Sequence, residues 1–420
     1  MENLIKKTKS LWEGYWVYFF YLFAVSSALS ISASTVLLSI FFLFYILDIK
    51  ENIKYFPKDF KLFLFFYLWR MITLFLNGFF LSAFSRFFNG IWDKSGYFFC
   101  SNLRVDKEKI FKFIKILVWL NFIIVLYALL QKYAGFPLPF KNLFTPDMIR
   151  FKGFHSHPLR FAGYFSIICV VTFSFASFYY KRFFYLFPVI FFGLMLNGSR
   201  TYWFSVILTI SIISFLKNKK FFIISALSTL FFLIVFFNFF KDYRERIDSA
   251  VNTEQITVVN PERISISPEQ KLSHLSLRKN FWKAGIEIFS KSPIYGVGDG
   301  RASVYLKDYM DRGLIDNNAH CHNIYITYLA EDGIIGLALL LWILFYFIKK
   351  YYLEFKNSKD DFEKAFSVSL LAIFLNILFS GLTEHNFATF VLWGFSSFYM
   401  GIFESYKRMD LTLKGNHQSL

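Results

Sequence analysis

Charged residues are scarce in this chain of 420 amino acids. Asp, Glu, Lys and Arg together make up 18% of the sequence, whereas a soluble globular domain carries about 25%. Hydrophobic residues make up 56%, and the chain has 61 Phe. A composition this apolar excludes a water-soluble globular protein and a disordered chain. We therefore expect a polytopic membrane protein, in which long apolar runs replace the missing charge.

Cysteine is also scarce, since the sequence has only Cys100, Cys169 and Cys321. These residues lie far apart and lack paired ligand spacing, so neither a disulfide framework nor a zinc ribbon is implied. The formal net charge of +17 does not indicate nucleic-acid binding, because Lys and Arg are scattered between apolar runs rather than gathered on one soluble face. The sequence also lacks a glycine-rich dinucleotide fingerprint after a strand. We expect no nucleic-acid partner and no nucleotide-sugar donor.

Apolar runs take up most of the chain, and about 20 apolar residues are enough to span a hydrocarbon core of about 30 Å. The weakest run, 82–92, contains Arg86 and is either a span or a re-entrant piece. The fold class that follows is all-α, with about twelve transmembrane helices. The runs lie near 14–31, 33–48, 60–80, 82–92, 112–132, 160–179, 183–197, 202–216, 221–240, 323–348, 365–382 and 386–405.

Basic residues set the predicted orientation of these helices. With the N-terminus inside, every inner connection is basic, as the positive-inside rule requires; 217–220 contains three Lys, and 93–111 includes Lys94. The plan divides the chain into four segments. These are nine helices over 1–240, an extracytoplasmic loop subdomain over 241–322, three helices over 323–405 and a cytoplasmic tail over 406–420.

The long loop contains an amphipathic stretch at 272–290. Leu275, Trp282, Ile286 and Phe289 recur there at helical spacing, which predicts a helix that lies on the membrane surface. Ser292 and Pro293 end this helix, and a glycine-rich stretch with the character of turns follows.

Most side chains capable of chemistry fall on the outer side of this topology. Arg200, at an outer helix end, is either an interfacial anchor or a clamp for an anion. Arg278 is either a solvated charge or a second clamp. His320 and His322 are zinc ligands, polar caps or proton acceptors, and the lack of a His-Glu-x-x-His spacing disfavours the metal. Six of the seven histidines are predicted outside: His155, His157, His274, His320, His322 and His385.

Three sequence elements together resemble a known family. His322-Asn323, then nine residues, then Gly333 and Gly336 is similar to the signature of the O-antigen ligase family, which includes O-antigen polymerases and bacterial protein O-oligosaccharyltransferases. Two further elements are typical of that family, and the resemblance covers about residues 150–345. They are Gly198-Ser199-Arg200, and Ser276-Leu277-Arg278 with Trp282 leading to Pro293-Ile294-Tyr295-Gly296-Val297-Gly298.

The resemblance implies a metal-independent, cofactor-free glycosyltransferase with a type C fold in the bacterial inner membrane. Such an enzyme takes a glycan from undecaprenyl pyrophosphate on the periplasmic side and joins it to an acceptor hydroxyl with inversion. We favour the ligase that acts on lipid A–core. An O-antigen polymerase or a protein O-oligosaccharyltransferase of the same superfamily is the alternative within this class. A non-enzymatic transporter or flippase for lipid-linked sugars is the rival from another class, although it would need charges along a path to both faces.

The resemblance also implies roles for individual residues. The catalytic His of the family falls on His322, and the two arginines that bind pyrophosphate fall on Arg200 and Arg278. As a base with an ordinary imidazole pKa, His322 would lose activity as the pH falls through about 6.5. Further substrate contacts are predicted at His157, Arg160, His320 and Glu384, and no metal ligand is predicted.

Overall fold

The computed structural model of this protein describes residues 2–136, 142–146, 149–241, 243–244, 274–316, 320–387 and 389–417. These residues are mostly helical, and none of them belongs to a strand; Phe144 and Phe151 form one isolated bridge. The predicted all-α class is confirmed over this part of the chain. In the predicted loop subdomain, residues 245–273 lie outside the described residues.

Sixteen α-helices and two short 3₁₀ turns, Ile53–Tyr55 and Lys58–Phe60, make up the described part of the chain. In chain order the α-helices are α1 (Glu2–Leu29), α2 (Ile31–Leu47), α3 (Ile49–Asn52), α4 (Lys61–Leu76), α5 (Phe80–Lys94), α6 (Gly96–Cys100), α7 (Lys107–Ala134), α8 (Pro158–Phe178), α9 (Phe183–Asn197), α10 (Arg200–Lys217), α11 (Lys219–Phe239), α12 (His274–Lys291), α13 (Ala302–Asp311), α14 (Ile324–Asn357), α15 (Asp361–Ser380) and α16 (Phe390–His417).

Five of the described helices are long and apolar enough to cross a membrane: α7, α8, α11, α14 and α15. A sixth span is counted if α2 and Ile49–Tyr55, which meet at a bend of 92°, are one broken span. Each of the twelve runs predicted from the sequence overlaps a helix, but several of these helices are short; α4 has 16 residues and α9 has 15. The protein is therefore a multi-pass membrane protein, whereas the count of twelve spans stays a prediction.

The bundle is centred on α8 and α15. Of the most apolar part of these helices, 94% and 83% of residues are buried, against 6% for the peripheral α11. Polar side chains join the central helices: Asn376 on α15 donates to Ser166 of α8 (2.8 Å) and accepts from Ser205 of α10 (2.7 Å). Because lipid offers polar groups no partners, side chains at this depth must bond to one another.

A smaller apolar cluster lies outside the bundle centre and joins α12, α13 and the start of α14. On α12 its members are Phe281, Ala284 and Ile288, whereas Ile286 is 47% exposed. The helix predicted over 272–290 is confirmed, whereas its position on the membrane surface stays a prediction. Phe281, Ala284 and Ile288 also recur at helical spacing, so the sequence pattern alone did not single out the face of α12 that packs on Cys321 and Ala330.

Helix α14 is broken at Gly333, whose backbone is non-helical (φ 68°, ψ −168°). The stretch before α13 packs into the break: Ile334 N donates to Pro293 O (2.9 Å), and Gly298 N donates to Glu331 O (2.8 Å). A Cβ at Gly333 would lie 2.2 Å from Ile294 O, so only glycine fits. The contact explains why two of the sequence elements that resemble the family, the stretch from Pro293 and the Gly-x-x-Gly element, occur together.

Farther along α14, an ionic cluster ties four parts of the chain together. Lys350 Nζ donates to Asp59 Oδ2 (2.6 Å), Glu404 Oε1 (2.6 Å) and the Tyr97 hydroxyl (3.0 Å). The Tyr97 hydroxyl in turn donates to Asp59 (2.7 Å). We call Lys350, Asp59, Glu404 and Tyr97 the Lys350 cluster. Its members come from α14, the second 3₁₀ turn, α16 and α6, so the cluster fixes these elements to each other.

Candidate active site

The segment His320–Asn323 leads into α14 and is tied to the loop that connects α15 to α16. Asn323 caps α14 by accepting from Ile326 N (3.0 Å), and its amide donates to Leu382 O (2.9 Å). The backbone N of Ile324 also donates to Gly381 O (2.9 Å). We call residues 381–387 the 381–387 loop. These bonds place His322 next to that loop.

A buried lysine anchors the 381–387 loop at its last residue, Phe387. Lys94, the last residue of α5, is 0% exposed and donates to Phe387 O (3.1 Å). Its ammonium lies 4.8 Å from the ring centre of Trp393 and 5.2 Å from that of Phe387. Lys94 was predicted to lie in a connection that starts at residue 93, whereas the structure places it, buried, at the end of α5. The positive charge of Lys94, which suggested a position in a loop, instead holds the 381–387 loop in place.

Three imidazole rings meet beside this loop. The ring centre of His320 lies 4.8 Å from that of His322 and 4.9 Å from that of His385, and the ring of Phe281 on α12 covers His322 at 5.1 Å. His385 was predicted to be outside but was given no role. Within the described residues, no group of three or more His, Cys, Asp or Glu side chains is arranged to hold a metal ion.

His322 has an unusual backbone. Its φ of 49° makes it the only described non-glycine residue with a positive φ, and its N–H donates to Nδ1 of His320 (3.3 Å). A left-handed conformation is strained for a residue with a side chain and persists where the surroundings enforce it. Nδ1 of His322 is buried and makes no hydrogen bond within the described part of the chain. The strained turn therefore holds an imidazole with unused bonding capacity.

The His322 imidazole is neutral at physiological pH. Burial, and then the positive charges of His320 and Arg278, lower the pKa of His322 to about 3. The expectation that activity falls near the ordinary imidazole pKa is revised, because the His322 ring stays deprotonated well below that pH. A neutral imidazole can accept a proton, as general-base catalysis requires.

Arg278 and Glu384 form an ion pair at the same site. Arg278, near the start of α12, lies with Nη2 3.5 Å from Oε1 of the largely buried Glu384. Burial raises the pKa of Glu384 to about 7, although Arg278 and then Arg150 act to lower it. Arg150 was not predicted as a site residue, and its Nε donates to Asn197 O (3.0 Å). The structure thus brings together His320, His322, Arg278 and Glu384, four of the predicted site residues.

Arg200 lies at the first position of α10, next to the 381–387 loop. Gly198, with a φ of 73°, ends α9, and the following Ser199 adopts an extended conformation before α10 begins. Thr201 shares a hydrogen bond with Thr383 (2.6 Å), the neighbour of Glu384. The half-buried Arg200 therefore belongs to the turn that contacts the loop of the site.

His157 and Arg160 lie at the start of α8, and both are exposed. Nδ1 of His157 accepts from Leu159 N (3.2 Å), so the ring caps the helix. The amide of Asn197 donates to Pro158 O (2.8 Å), which links this helix start to the turn before Arg200. The predicted substrate contacts of His157 and Arg160 stay predictions.

Helices and site together define an integral membrane protein that holds a neutral histidine and buried or half-buried ionic groups in one polar site. The family model of O-antigen ligase matches residues 184–341, and the predicted resemblance to this family is confirmed over that segment. The match contains Arg200, Arg278 and His322 and ends before Glu384. Among curated proteins, none matches the chain.

Proposed function

We propose that this protein is an O-antigen ligase-type glycosyltransferase that moves a glycan from undecaprenyl pyrophosphate to a hydroxyl of lipid A–core on the periplasmic side of the inner membrane. The observation that carries the proposal is the convergence of Arg278, His322 and Glu384, which lie far apart in sequence. The family match supports a lipid-linked glycan as the substrate class. The outer side predicted for these residues from the basic short inner connections supports the periplasmic assignment.

In this proposal Arg278 and Arg200 bind the pyrophosphate of the donor. Negative charge grows on the departing oxygen as the sugar–phosphate bond breaks, and a fixed guanidinium stabilises that charge more in the transition state than in the ground state. At an effective dielectric constant of 20, a charge pair 4 Å apart is worth about 4 kcal/mol before desolvation is subtracted. Two arginines with forked donors supply this stabilisation without a metal ion.

His322 acts as the base. The acceptor oxygen attacks the anomeric carbon, the bond from that carbon to the pyrophosphate oxygen breaks, and the leaving pyrophosphate keeps the electron pair. The proton of the acceptor hydroxyl passes to the neutral imidazole. One displacement of this kind inverts the anomeric centre. Because the charge of Arg278 helps to lower the pKa of His322, a pyrophosphate bound to Arg278 would offset that charge and make His322 a stronger base when the donor is present.

Reconstitution tests the proposal. The purified protein in liposomes receives a glycan on undecaprenyl pyrophosphate, and lipid A–core, a protein substrate or no added acceptor is supplied; mass spectrometry then shows which molecule gains the glycan. We expect lipid A–core to gain it in the presence of EDTA, and His322→Ala to transfer at a rate lower by about 10² to 10⁴. Lengthening of the carrier-linked glycan alone would indicate a polymerase instead. Movement of the donor across the bilayer without any new glycosidic bond would indicate a transporter.

A further inference from the structure

Besides the Lys350 cluster, a second buried ionic cluster lies near the site, on the far side of Tyr328 from the histidines. The side chain of Arg70 on α4 is 5% exposed and is ion-paired with three carboxylates. It pairs with Asp299, with Glu331 at 3.3 Å and with Asp332 at 3.1 Å. We call these four residues the Arg70 cluster. A guanidinium at this depth needs such partners, since an unpaired charge in the membrane interior is costly.

The Arg70 cluster holds the two chain segments that meet at the α14 break. Glu331 and Asp332 directly precede Gly333, and Asp299 ends the stretch that packs into the break. A second residue of α4 supports the same contact, because Trp69 Nε1 donates to Asp332 O (2.9 Å). One cation therefore binds both segments, and a shift of either one would separate the guanidinium from at least one carboxylate.

These two segments carry the residues proposed for catalysis. The stretch that ends at Asp299 follows α12, which carries Arg278, and Glu331 lies nine residues after His322. The first part of α14 up to Gly333 is short and helical, so it transmits the position of Glu331 to the start of the helix. The site residues Arg278 and His322 are thus placed relative to each other through the Arg70 cluster.

A line of rings makes a second connection from Arg70 to the site. The guanidinium lies 4.5 Å from the ring centre of Tyr328 and donates to its hydroxyl (3.4 Å). The Tyr328 ring lies 5.6 Å from His385, which stacks on His320. Displacement of the guanidinium would move a ring that packs directly against the histidine group.

We infer that Arg70 is a positioning residue for glycan transfer: with Tyr328 behind the histidines, it fixes the distance between Arg278 and His322. The inference rests on the proposed function. Buried ion pairs add little to stability compared with apolar residues of similar size, and in some proteins such pairs serve to specify one arrangement. A displacement of about 1 Å in an active site can cost about a hundredfold in rate. Arg70 therefore affects turnover more than donor binding.

The test compares Arg70→Lys and Tyr328→Leu with two matched variants. Lys350→Arg makes an equally conservative exchange in the Lys350 cluster. Lys350 lies on α14, as Tyr328 does, but away from the site. Tyr328→Phe keeps the ring and loses only the hydroxyl. Each purified variant is compared with wild type for melting temperature, dissociation constant of the undecaprenyl-pyrophosphate glycan, and kcat and KM for transfer.

We expect Arg70→Lys and Tyr328→Leu to lower kcat at least about tenfold with donor affinity within about threefold of wild type. Tyr328→Phe should recover most of the rate lost in Tyr328→Leu, and Lys350→Arg should change only the melting temperature. If Arg70→Lys does not accumulate, the comparison of Tyr328→Leu with Tyr328→Phe tests the positioning role. A wild-type kcat in Tyr328→Leu, or an equal loss in Lys350→Arg, overturns the positioning role and leaves the proposed function standing. A wild-type protein that transfers no glycan to any acceptor overturns both.

Discussion

The two ionic clusters on α14 have similar members but different surroundings. The helix beyond Gly333 rises by about 25 Å over the residues up to Lys350, close to the thickness of a hydrocarbon core. In the Lys350 cluster, three helices and a 3₁₀ turn bring one cation to two carboxylates and a hydroxyl, and α14 is unbroken there. At the Arg70 cluster the helix is broken, the adjoining glycines adopt positive φ, and three histidines lie within reach. Helix α14 is regular at the cluster that joins helices and is broken at the cluster beside the polar groups proposed to bind the substrate.

The largest expected difference between the two ends of α14 is in turnover, which depends on the His322 end. His322→Ala should lower kcat by about 10² to 10⁴, because no other group at this position can take the proton of the acceptor hydroxyl. Donor binding should be retained, which a binding assay with the undecaprenyl-pyrophosphate glycan checks. His320→Ala should leave a larger residual rate, since His320 lies earlier in the segment. Normal turnover in His322→Ala would make Glu384 the next base to test.

The second effect concerns the arginines. Arg278→Lys and Arg200→Lys keep the charge but lose the planar fork that matches two phosphate oxygens. Each should lower kcat/KM for the donor by about ten- to a hundredfold at normal protein levels. Lys279→Ala, at the exposed residue beside Arg278, is the matched control and should leave kcat/KM unchanged. Near wild-type kinetics in both Lys variants would support interfacial anchoring instead.

The third effect is a loss of stability without a loss of turnover, at the Lys350 cluster. Lys350→Met leaves Asp59 and Glu404 without their shared cation and should lower the free energy of unfolding by about 3 kcal/mol, the lower end for a broken buried pair because Lys350 is 19% exposed. The fraction that stays folded should turn over at the wild-type rate. Thermal unfolding in detergent and kcat per folded molecule provide the measurement. A selective loss of kcat would show that the two ends of the helix are not functionally distinct.

The smallest effect is a pH dependence of donor binding. Because burial raises the pKa of Glu384 to about 7, the carboxyl is largely protonated below that pH and ionised above it. An ionised Glu384 competes with pyrophosphate for Arg278, so donor affinity should fall about three- to tenfold between pH 6 and 8. Glu384→Gln should bind the donor equally well at both pH values. An unchanged pH dependence in that variant would exclude Glu384 as its source.

Local patterns in the sequence predicted much of the fold and part of the site. Apolar runs located the helices, including the start of α14, and the spacing of His322 to Gly333 and Gly336 indicated the family. Arg70 gave no signal, because it stands within an apolar run and its partner Asp299 lies 229 residues away. His385 was visible only as one of several outer histidines, and its contact with His320 depends on how two distant loops pack.

The separation between Arg70 and its partners has a consequence for biosynthesis. At about 5 to 20 residues per second, the ribosome reaches Asp299 roughly 10 to 50 seconds after Arg70 has been made. During that interval α4 must enter the translocon with a guanidinium that has none of its later carboxylate partners. A nascent chain that stops before Asp299 can never supply them. An arginine without its carboxylate partners therefore distinguishes such a truncated chain from a complete one in chemical terms.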